Sequence, residues 1–380
     1  MIADRNPSRW TRALAAPSLC LMGILCVCAA SWLGLQACSI AASDLIATLD
    51  RRPLLKSLRD TVIIPASERF TARAAALETA ARKLAESPGP ELLDSAKTAW
   101  KEAALAWGSL QAIRLGPIAD ATARIDFWPT RPNLIGQALA DSYPLDSARM
   151  VSLTPAAAKG LPALEWLLFS SPPETVLGQL SDSAHGTRRG LYLAAVASDL
   201  RRAAEGIHAD WQGKTGAALV APAADTRYPT TQMAVEELIK GLVATLEEMK
   251  TGKVLTPAGS KSEGKAQPDA VESPYASLSL EILRANLSGV EAAFHGNGGT
   301  GLDDYLKDLG SDAGARVDVD MLNAKNALEA VPSPLSGSVI GQNAKVLALG
   351  AALTDLVVDV KNDVASTLGF NITFTDNDGD

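Results

Sequence analysis

The residue best placed to do chemistry is Glu165, because it is the single carboxylate in the apolar stretch GLPALEWLLF, residues 160–169. An isolated carboxylate is costly to bury unless it is paired or protonated. Glu165 therefore either binds a ligand or belongs to a structural ion pair, and the sequence leaves both interpretations open. For the ion pair we predict Arg124, Arg131 or Arg114 as the partner, since a guanidinium holds a carboxylate with two parallel hydrogen bonds.

A second group of polar side chains lies in RIDFWPTR, residues 124–131, around a proline that interrupts regular structure. Its candidate site residues are Arg124, Asp126, Trp128 and Arg131. Side chains of these types form pockets for small anions or substrates, and the alternative is a structural corner. The segment SPYAS, residues 273–277, adds Tyr275 as a candidate cleft residue, although its serines are typical of a helix cap.

Patterns typical of metal sites are sparse. The histidines are His185, His208 and His295, and none stands four residues from another. No His-Glu-x-x-His motif occurs, and no cysteine remains beyond the N-terminal segment to complete a zinc site. His295 is the most unusual of the three, since the glycine-rich turn that follows predicts a position near Asp303 or Asp304.

Composition predicts the elements that must position these residues. The 380 residues are 47% hydrophobic but only 5% aromatic, which favours close-packed helices over a sheet. Apolar stripes at helical spacing over residues 70–84 and 93–107 flank a Ser-Pro-Gly-Pro break and predict a helical hairpin. The net charge is −8 and no Lys/Arg block occurs, so we predict no nucleic-acid partner.

Further stripes cover residues 235–249, 280–294 and 346–360, and no alternating strand pattern is persuasive. We therefore predict an all-α fold of two antiparallel helical-bundle domains, for which a diverged duplication is one explanation. The domains are residues 38–215 and 216–380, divided within a stretch that lacks helical pattern. A second such stretch, residues 252–274, predicts a surface loop in the C-terminal bundle.

Residues 1–37 have the features of a signal peptide, with three arginines followed by an uncharged stretch. Leu35-Gln36-Ala37-Cys38 resembles a bacterial lipobox, in which Cys38 becomes the lipidated first residue. The alternatives are an ordinary cleavage near residues 39–42 and a retained membrane anchor, and all three export the rest of the chain. Every cysteine lies at or before Cys38, so the exported part is predicted to fold without a disulfide.

Several blocks in order resemble the imelysin-like family, also called peptidase M75, over residues 44–380. They are TVIIPASERF, AWKEAALAWGSLQAIRLGPI, RIDFWPTR, GLPALEWLLF, ESPYASLSLEILRANLSGVEAAFHGNGGTGL and LGFNITFTDNDGD. The resemblance implies an all-helical fold of two bundle-like domains. It also implies an exported protein associated with bacterial iron uptake, which makes iron the candidate ligand.

The family's signature is Gly-x-His-x-x-Glu, whose His and Glu are implied as metal ligands or as a peptidase site. Here the Gly is Gly160 and the Glu is Glu165, but Pro162 occupies the His position. Proline offers no side-chain donor atom, so the motif as written cannot be a His/Glu metal site. We predict instead that Pro162 lies in the first turn of the helix that carries Glu165.

These observations favour an exported lipoprotein that binds a ligand or partner in the bacterial envelope in connection with iron uptake. Its partners would be envelope iron-uptake proteins, and the lipid would attach it to the membrane. The alternatives are a metallopeptidase of the M75 type, against which Pro162 argues, and a non-catalytic scaffold for another envelope protein. We assign no catalytic residue.

Overall fold

The structure is a computed structural model that describes residues 49–152 and 154–370. The predicted signal peptide and the predicted lipidation site, Cys38, lie outside the described residues. From Asp50 onward the described residues form one compact unit. Within these ranges the regular structure is helical and contains no strand, which confirms the predicted all-α fold.

The helices alternate between long packing helices and short connecting ones. In the first half they are α1 (Arg52–Ser57), α2 (Ile64–Glu86), α3 (Pro90–Gln111), α4 (Pro117–Ile125), α5 (Pro132–Ala140), α6 (Ser147–Ser152), α7 (Gly160–Phe169), α8 (Pro173–Ser181) and α9 (Gly186–Gln212). In the second half they are α10 (Lys214–Val220), α11 (Thr231–Glu247), α12 (Ser279–His295), α13 (Leu302–Asp308), α14 (Ala313–Ala330), α15 (Leu335–Gly341), α16 (Asn343–Val358) and α17 (Ala365–Thr367).

Wider and tighter helical turns complete the chain. Three segments are π-helical, namely Leu58–Ile63, Glu248–Leu255 and Asp359–Val364. Three short 3₁₀ turns occupy Ala156–Ala158, Pro268–Ala270 and Gly296–Gly298. A π-helical turn inserts one residue more than an α-helical turn and often lies at a functional site. Two charged side chains of the segment 248–255, Glu248 and Lys253, line a cavity.

The predicted hairpin is confirmed by α2 and α3, which are joined by the turn at residues 87–89. Leu93, Trp100 and Trp107 are buried along the inner side of α3, as their seven-residue spacing predicts. Helix α9 packs along α2, and α12 packs on α3. Gly289 makes the second contact possible, because a Cβ atom there would lie 2.1 Å from the carbonyl oxygen of Ser109.

Helices of the two predicted bundles thus pack directly on one another within the compact unit. The boundary at residues 215 and 216 stays a prediction. The stretch around it is less irregular than its sequence indicates, since α10 lies inside it. Among the described helices, none is long and apolar enough to cross a membrane.

The segment 252–274 differs from the predicted surface loop. Lys253 and Val254 are buried at its start, and Val271, Glu272 and Ser273 are buried at its end. The Gly, Ser and Lys content of the segment is typical of solvent exposure, but the pairing of Lys253 with Glu272 lets both charges enter the interior. Only the middle of the segment therefore fits the predicted excursion.

Candidate functional site

Helix α7 places Glu165 in the interior, and Gly160 allows that helix to start where it does. Gly160 has a φ of +74°, and a Cβ atom there would lie 2.3 Å from the carbonyl oxygen of Ile125 at the end of α4. Pro162 lies in the first turn of α7, as predicted. Glu165 follows nearly one turn later and is 3% exposed.

Glu165 is held by neutral hydrogen-bond donors, so the predicted ion pair with Arg124, Arg131 or Arg114 is wrong. Its Oε1 atom accepts hydrogen bonds from the Ser273 hydroxyl at 3.0 Å and from the backbone N–H groups of Tyr275 and Ala276 at 2.9 and 2.8 Å. Successive backbone N–H groups of this kind form a concave anion-binding surface. The segment SPYAS therefore wraps around a carboxylate.

The predicted cap is absent at the start of α12, where no side chain makes a capping hydrogen bond. Ser273 and Ser277 both have positive φ values, of 53° and 54°, which turn the backbone of this segment tightly. Tyr275 is 39% exposed, and its described bond to Glu165 is made by its backbone N–H. The segment contributes its backbone to the site more than its aromatic ring.

Burial raises the pKa of the Glu165 carboxyl to about 7, even though all three of its hydrogen-bond donors favour the charged form. The nearby carboxylate of Glu272 raises that pKa further. No arginine or lysine pairs with Glu165 to offset this cost in the part of the chain that the structure describes. Glu165 is therefore a carboxyl group that gains and loses its proton near neutral pH.

Arg124 and Arg131 do not pair with Glu165, because Arg124 has another carboxylate partner and Arg131 is exposed. Arg124 donates to the buried Asp199 on α9, with Nη2 at 2.5 Å from Oδ1 and Nε at 3.2 Å from Oδ2. Lys159 lies 3.8 Å from the same carboxylate. Arg131 is exposed, and its backbone N–H donates to the carbonyl oxygen of Ala157. Asp199 is thus the carboxylate that Arg124 pairs with.

A second buried carboxylate, Glu272, lies beside Glu165 in a charged network that the sequence analysis missed. The Lys253 ammonium is 2.9 Å from Glu272 Oε1 and donates to Asn286 Oδ1 at 2.9 Å. Asn286 in turn donates to the carbonyl oxygen of Gly108 at 2.7 Å. Burial raises the pKa of Glu272 while the Lys253 ammonium opposes that rise.

Asp126 connects this network to the segment RIDFWPTR. The indole N–H of Trp107 donates to Asp126 Oδ2 at 3.1 Å. Burial raises the pKa of Asp126, Lys253 lowers it, and the carboxylate of Glu248 raises it. Asp126, Glu248 and Glu272 are thus three carboxylates that act on one another close to the Lys253 ammonium, and each like charge disfavours ionisation of the others.

Three cavities follow one another along these residues. The outer cavity, of about 450 Å³, is lined by Arg114, Thr122, Asp126, Phe127, Trp128 and Glu248 among others. The middle cavity, of about 70 Å³, adds Gln111, Lys253, Glu272 and Asn286. The inner cavity, of about 20 Å³, reaches Pro162 and Glu165 between Trp100 and Trp107. Because Asp126 and Trp128 line all three, the cavities are adjacent, and the inner one is bordered by Glu165.

The structure brings together only some of the predicted site residues. Glu165, Asp126 and Trp128 share the inner cavity, whereas Arg124 and Arg131 do not line any of the three. The residues that sequence reasoning missed are Lys253, Glu248, Glu272 and Ser273. Glu272 had a usable signal, because it begins the block ESPYAS directly before the residues that bind Glu165.

The His/Glu metal site of the family signature does not fit these residues. Pro162 lines the inner cavity with a ring that has no donor atom, and Glu165 Oε1 already accepts three hydrogen bonds. Across the described ranges, no group of three or more His, Cys, Asp and Glu side chains is arranged to hold a metal ion. Pro162 and Glu165 therefore do not form a His/Glu metal site in this protein.

His295 lies in a different part of the molecule, in a groove of about 480 Å³ bordered by Arg69 and Glu291. Its Nδ1 is 2.8 Å from Asp303 Oδ2, which confirms the predicted proximity, and its Nε2 is 3.1 Å from Asp318 Oδ1. His295 thus bridges α12, α13 and α14. It takes no part in the site around Glu165.

Residues 63–363 match the family described as Imelysin, peptidase M75. The chain belongs to the imelysin family. It is 28% identical over 306 residues to iron-regulated protein A of Synechococcus elongatus. The aligned residues make up 77% of this chain and 79% of that protein. The residues that form the cavities around Glu165 all lie within the matched range.

Two crystal structures of imelysin-type proteins share the fold. An iron-regulated protein A precursor from Parabacteroides distasonis superposes with a TM-score of 0.72 at 18% identity, covering 84% of this chain and 95% of that one. An imelysin-like protein from Psychrobacter arcticum gives a TM-score of 0.67 at 20% identity, covering 85% and 97%. The imelysin architecture is therefore retained at low sequence identity.

Proposed function

We propose that this imelysin is exported to the bacterial envelope, is anchored by a lipid on Cys38, and binds a small polar ligand that serves iron uptake. The observation that carries the binding proposal is the series of cavities that ends at the buried Glu165. Ligand sites are concave and use a few convergent polar groups with perturbed pKa values. The connection with iron is supported by the names of the relatives.

Buried charge supports a binding role over a purely structural one. Glu165, Glu272 and Lys253 are each at most 6% exposed, and each lines at least one of the cavities. Ionisable groups that stay buried beside a cavity cost folding free energy that an apolar side chain would not. Envelope proteins of iron uptake are the partners that this proposal implies.

The binding proposal is tested by calorimetry on the purified protein with ferric citrate as the probe. We expect wild type to bind with a defined stoichiometry and Glu165→Gln to bind at least about tenfold more weakly, since removal of one buried charge contact changes affinity by that order. Glu329→Gln, at an exposed carboxylate far from the cavities in sequence, is the matched control. Equal binding by wild type and Glu165→Gln would reject the role of Glu165.

The anchoring proposal is tested by cell fractionation. We expect the wild-type protein in the membrane fraction and the Cys38→Ser variant in the soluble envelope fraction, because the substitution removes the thiol that would carry the lipid. A wild-type protein found only in the soluble fraction would contradict the lipid anchor and favour ordinary cleavage near residues 39–42.

A further inference from the structure

The boundary between the outer and middle cavities carries opposite charges. Five residues line both cavities, and we call them the neck: Arg114, Thr122, Asp126, Trp128 and Glu248. The neck therefore has one guanidinium, two carboxylates, a hydroxyl and an indole.

Two of the neck charges, on half-buried side chains, have no partner within the described protein. In the described part of the chain, the side chains of Arg114 and Glu248 make no hydrogen bond or ion pair, with each other or with a third residue. Arg114 also has a φ of +43°, a conformation that few residues other than glycine adopt. Backbone in such a conformation persists where the surrounding fold imposes it, and it is frequent at ligand sites.

One residue just inside the neck keeps unused hydrogen-bonding capacity. Glu272 and Gln111 are 6% and 5% exposed and line the middle cavity. Glu272 Oε2 has no hydrogen-bond partner in the described ranges, whereas the Gln111 side chain interacts with the Asp126 carboxylate. Buried polar atoms are satisfied in most proteins, so a missing partner of this kind indicates a ligand or an ordered water.

We propose that the neck binds a zwitterion of the α-amino-acid type, with its carboxylate on Arg114 and its ammonium group between Asp126 and Glu248. A guanidinium fork matches a carboxylate in two parallel bonds, and paired carboxylates match an ammonium group. Trp128 and Phe127 form the apolar part of the outer cavity, where the ligand's side chain would lie. This inference rests on the proposed function and names the ligand class of the same site.

The charges and volumes of the two cavities restrict the class of ligand further. The middle cavity and its neck carry three carboxylates against the cations of Arg114 and Lys253, so a ligand with an extra positive charge is favoured over an acidic one. The middle cavity, of about 70 Å³, admits only a small head group, whereas the outer cavity of about 450 Å³ accommodates a longer side chain. A basic amino acid meets both conditions.

Calorimetry with four probes on the purified protein tests whether the neck binds a zwitterion. L-Lysine and L-alanine carry both charges, putrescine carries only ammonium groups, and acetate carries only a carboxylate. We expect both amino acids to bind, L-lysine the more tightly, and each single-charge probe to bind at least about tenfold more weakly than L-lysine. Putrescine that binds as tightly as L-lysine would overturn the assignment of a carboxylate to Arg114.

Three variants of the neck and one control variant test this assignment, each checked for native helix content by circular dichroism. Arg114→Gln is expected to weaken the binding of L-lysine at least about tenfold and to leave the affinity for putrescine unchanged. Arg114→Lys is expected to recover part of the lost L-lysine affinity. Glu248→Gln is expected to weaken both probes. Arg284→Gln, at an exposed surface ion pair, is the control. Unchanged L-lysine affinity in Arg114→Gln and Glu248→Gln would overturn the proposal.

The two proposals fail in different ways. If none of the four probes binds while ferric citrate binds in a Glu165-dependent manner, the zwitterion is wrong and the iron-linked ligand stands. If neither the four probes nor ferric citrate binds, both are wrong and the cavities hold only water.

Discussion

Two of the most deeply buried carboxylates in the described chain, Asp199 and Glu165, are held by opposite means. Asp199 is 1% exposed and is surrounded by the cations of Arg124, Lys159 and Arg202. Glu165 is 3% exposed and receives only neutral donors, with a second carboxylate, Glu272, nearby. The first arrangement compensates charge, whereas the second leaves charge uncompensated next to a cavity.

The difference separates a structural ion pair from a candidate binding group. Asp199 ties α9 to α4 through Arg124, so its charge holds helices together. Glu165 ties α7 to the segment 273–276, but ionisation of its carboxyl opposes folding because burial raises its pKa. Substitution by the neutral amide should therefore have opposite effects on stability at the two positions.

The largest expected effect is at the compensated site. Asp199→Asn leaves Arg124 and Lys159 without their buried counter-charge, so we expect the free energy of unfolding to fall by about 3 kcal/mol. Urea denaturation at pH 7 followed by circular dichroism measures this loss. Asp120→Asn breaks the exposed pair with Arg227 and is the control, for which we expect a loss below about 1 kcal/mol. Similarly small losses of stability in Asp199→Asn and Asp120→Asn would show that the buried ion pair contributes no more than the exposed one.

The second expected effect is a gain in stability, on replacement of Glu165 by glutamine. The pKa of Glu165 is about 7 in the folded protein, above its usual value of 4.5, so the folded state binds the proton more tightly. Its contribution to stability is fully present below about pH 4.5 and is lost as the pH rises through about 7. At pH 8 we therefore expect Glu165→Gln to be more stable than wild type by about 1–3 kcal/mol.

Denaturation of both proteins from pH 4.5 to pH 8 measures this effect. The wild-type stability should fall across the window more steeply than that of Glu165→Gln, because only wild type carries the titrating group at this position. Equal slopes, or a variant less stable than wild type at pH 8, would show that Glu165 is an ordinary structural carboxylate.

The smallest effect concerns the donors around Glu165. Ser273→Ala removes the hydroxyl that donates to Oε1 at 3.0 Å, and we expect a loss of about 1 kcal/mol at pH 8. The pKa of Glu165 should also rise, because that hydrogen bond favours the charged form. Ser277→Ala is the matched control, since Ser277 has a similar positive φ and is exposed. An equal loss in both variants would point to backbone strain as the cause.

Much of the helical framework follows from local sequence pattern. The stripes in α2, α3, α12 and α16 predict buried faces that the structure contains, because amphipathic spacing depends only on neighbours along the chain. The segment 252–274 was misjudged, since Lys253 and Glu272 are polar residues that become buried through pairing with each other. Such pairing is invisible to composition, because its members are distant in sequence.

Sequence by itself determined that this imelysin is all-helical and that the Pro162 side chain cannot be a metal ligand, because side-chain chemistry does not depend on the fold. It also determined that Glu165 needs compensation inside an apolar helix. Tertiary structure alone decided which partner each charge receives. Ser273 reaches Glu165 across 108 positions of sequence, and Arg124 reaches Asp199 across 75, because helix packing and loop return bring those segments into contact.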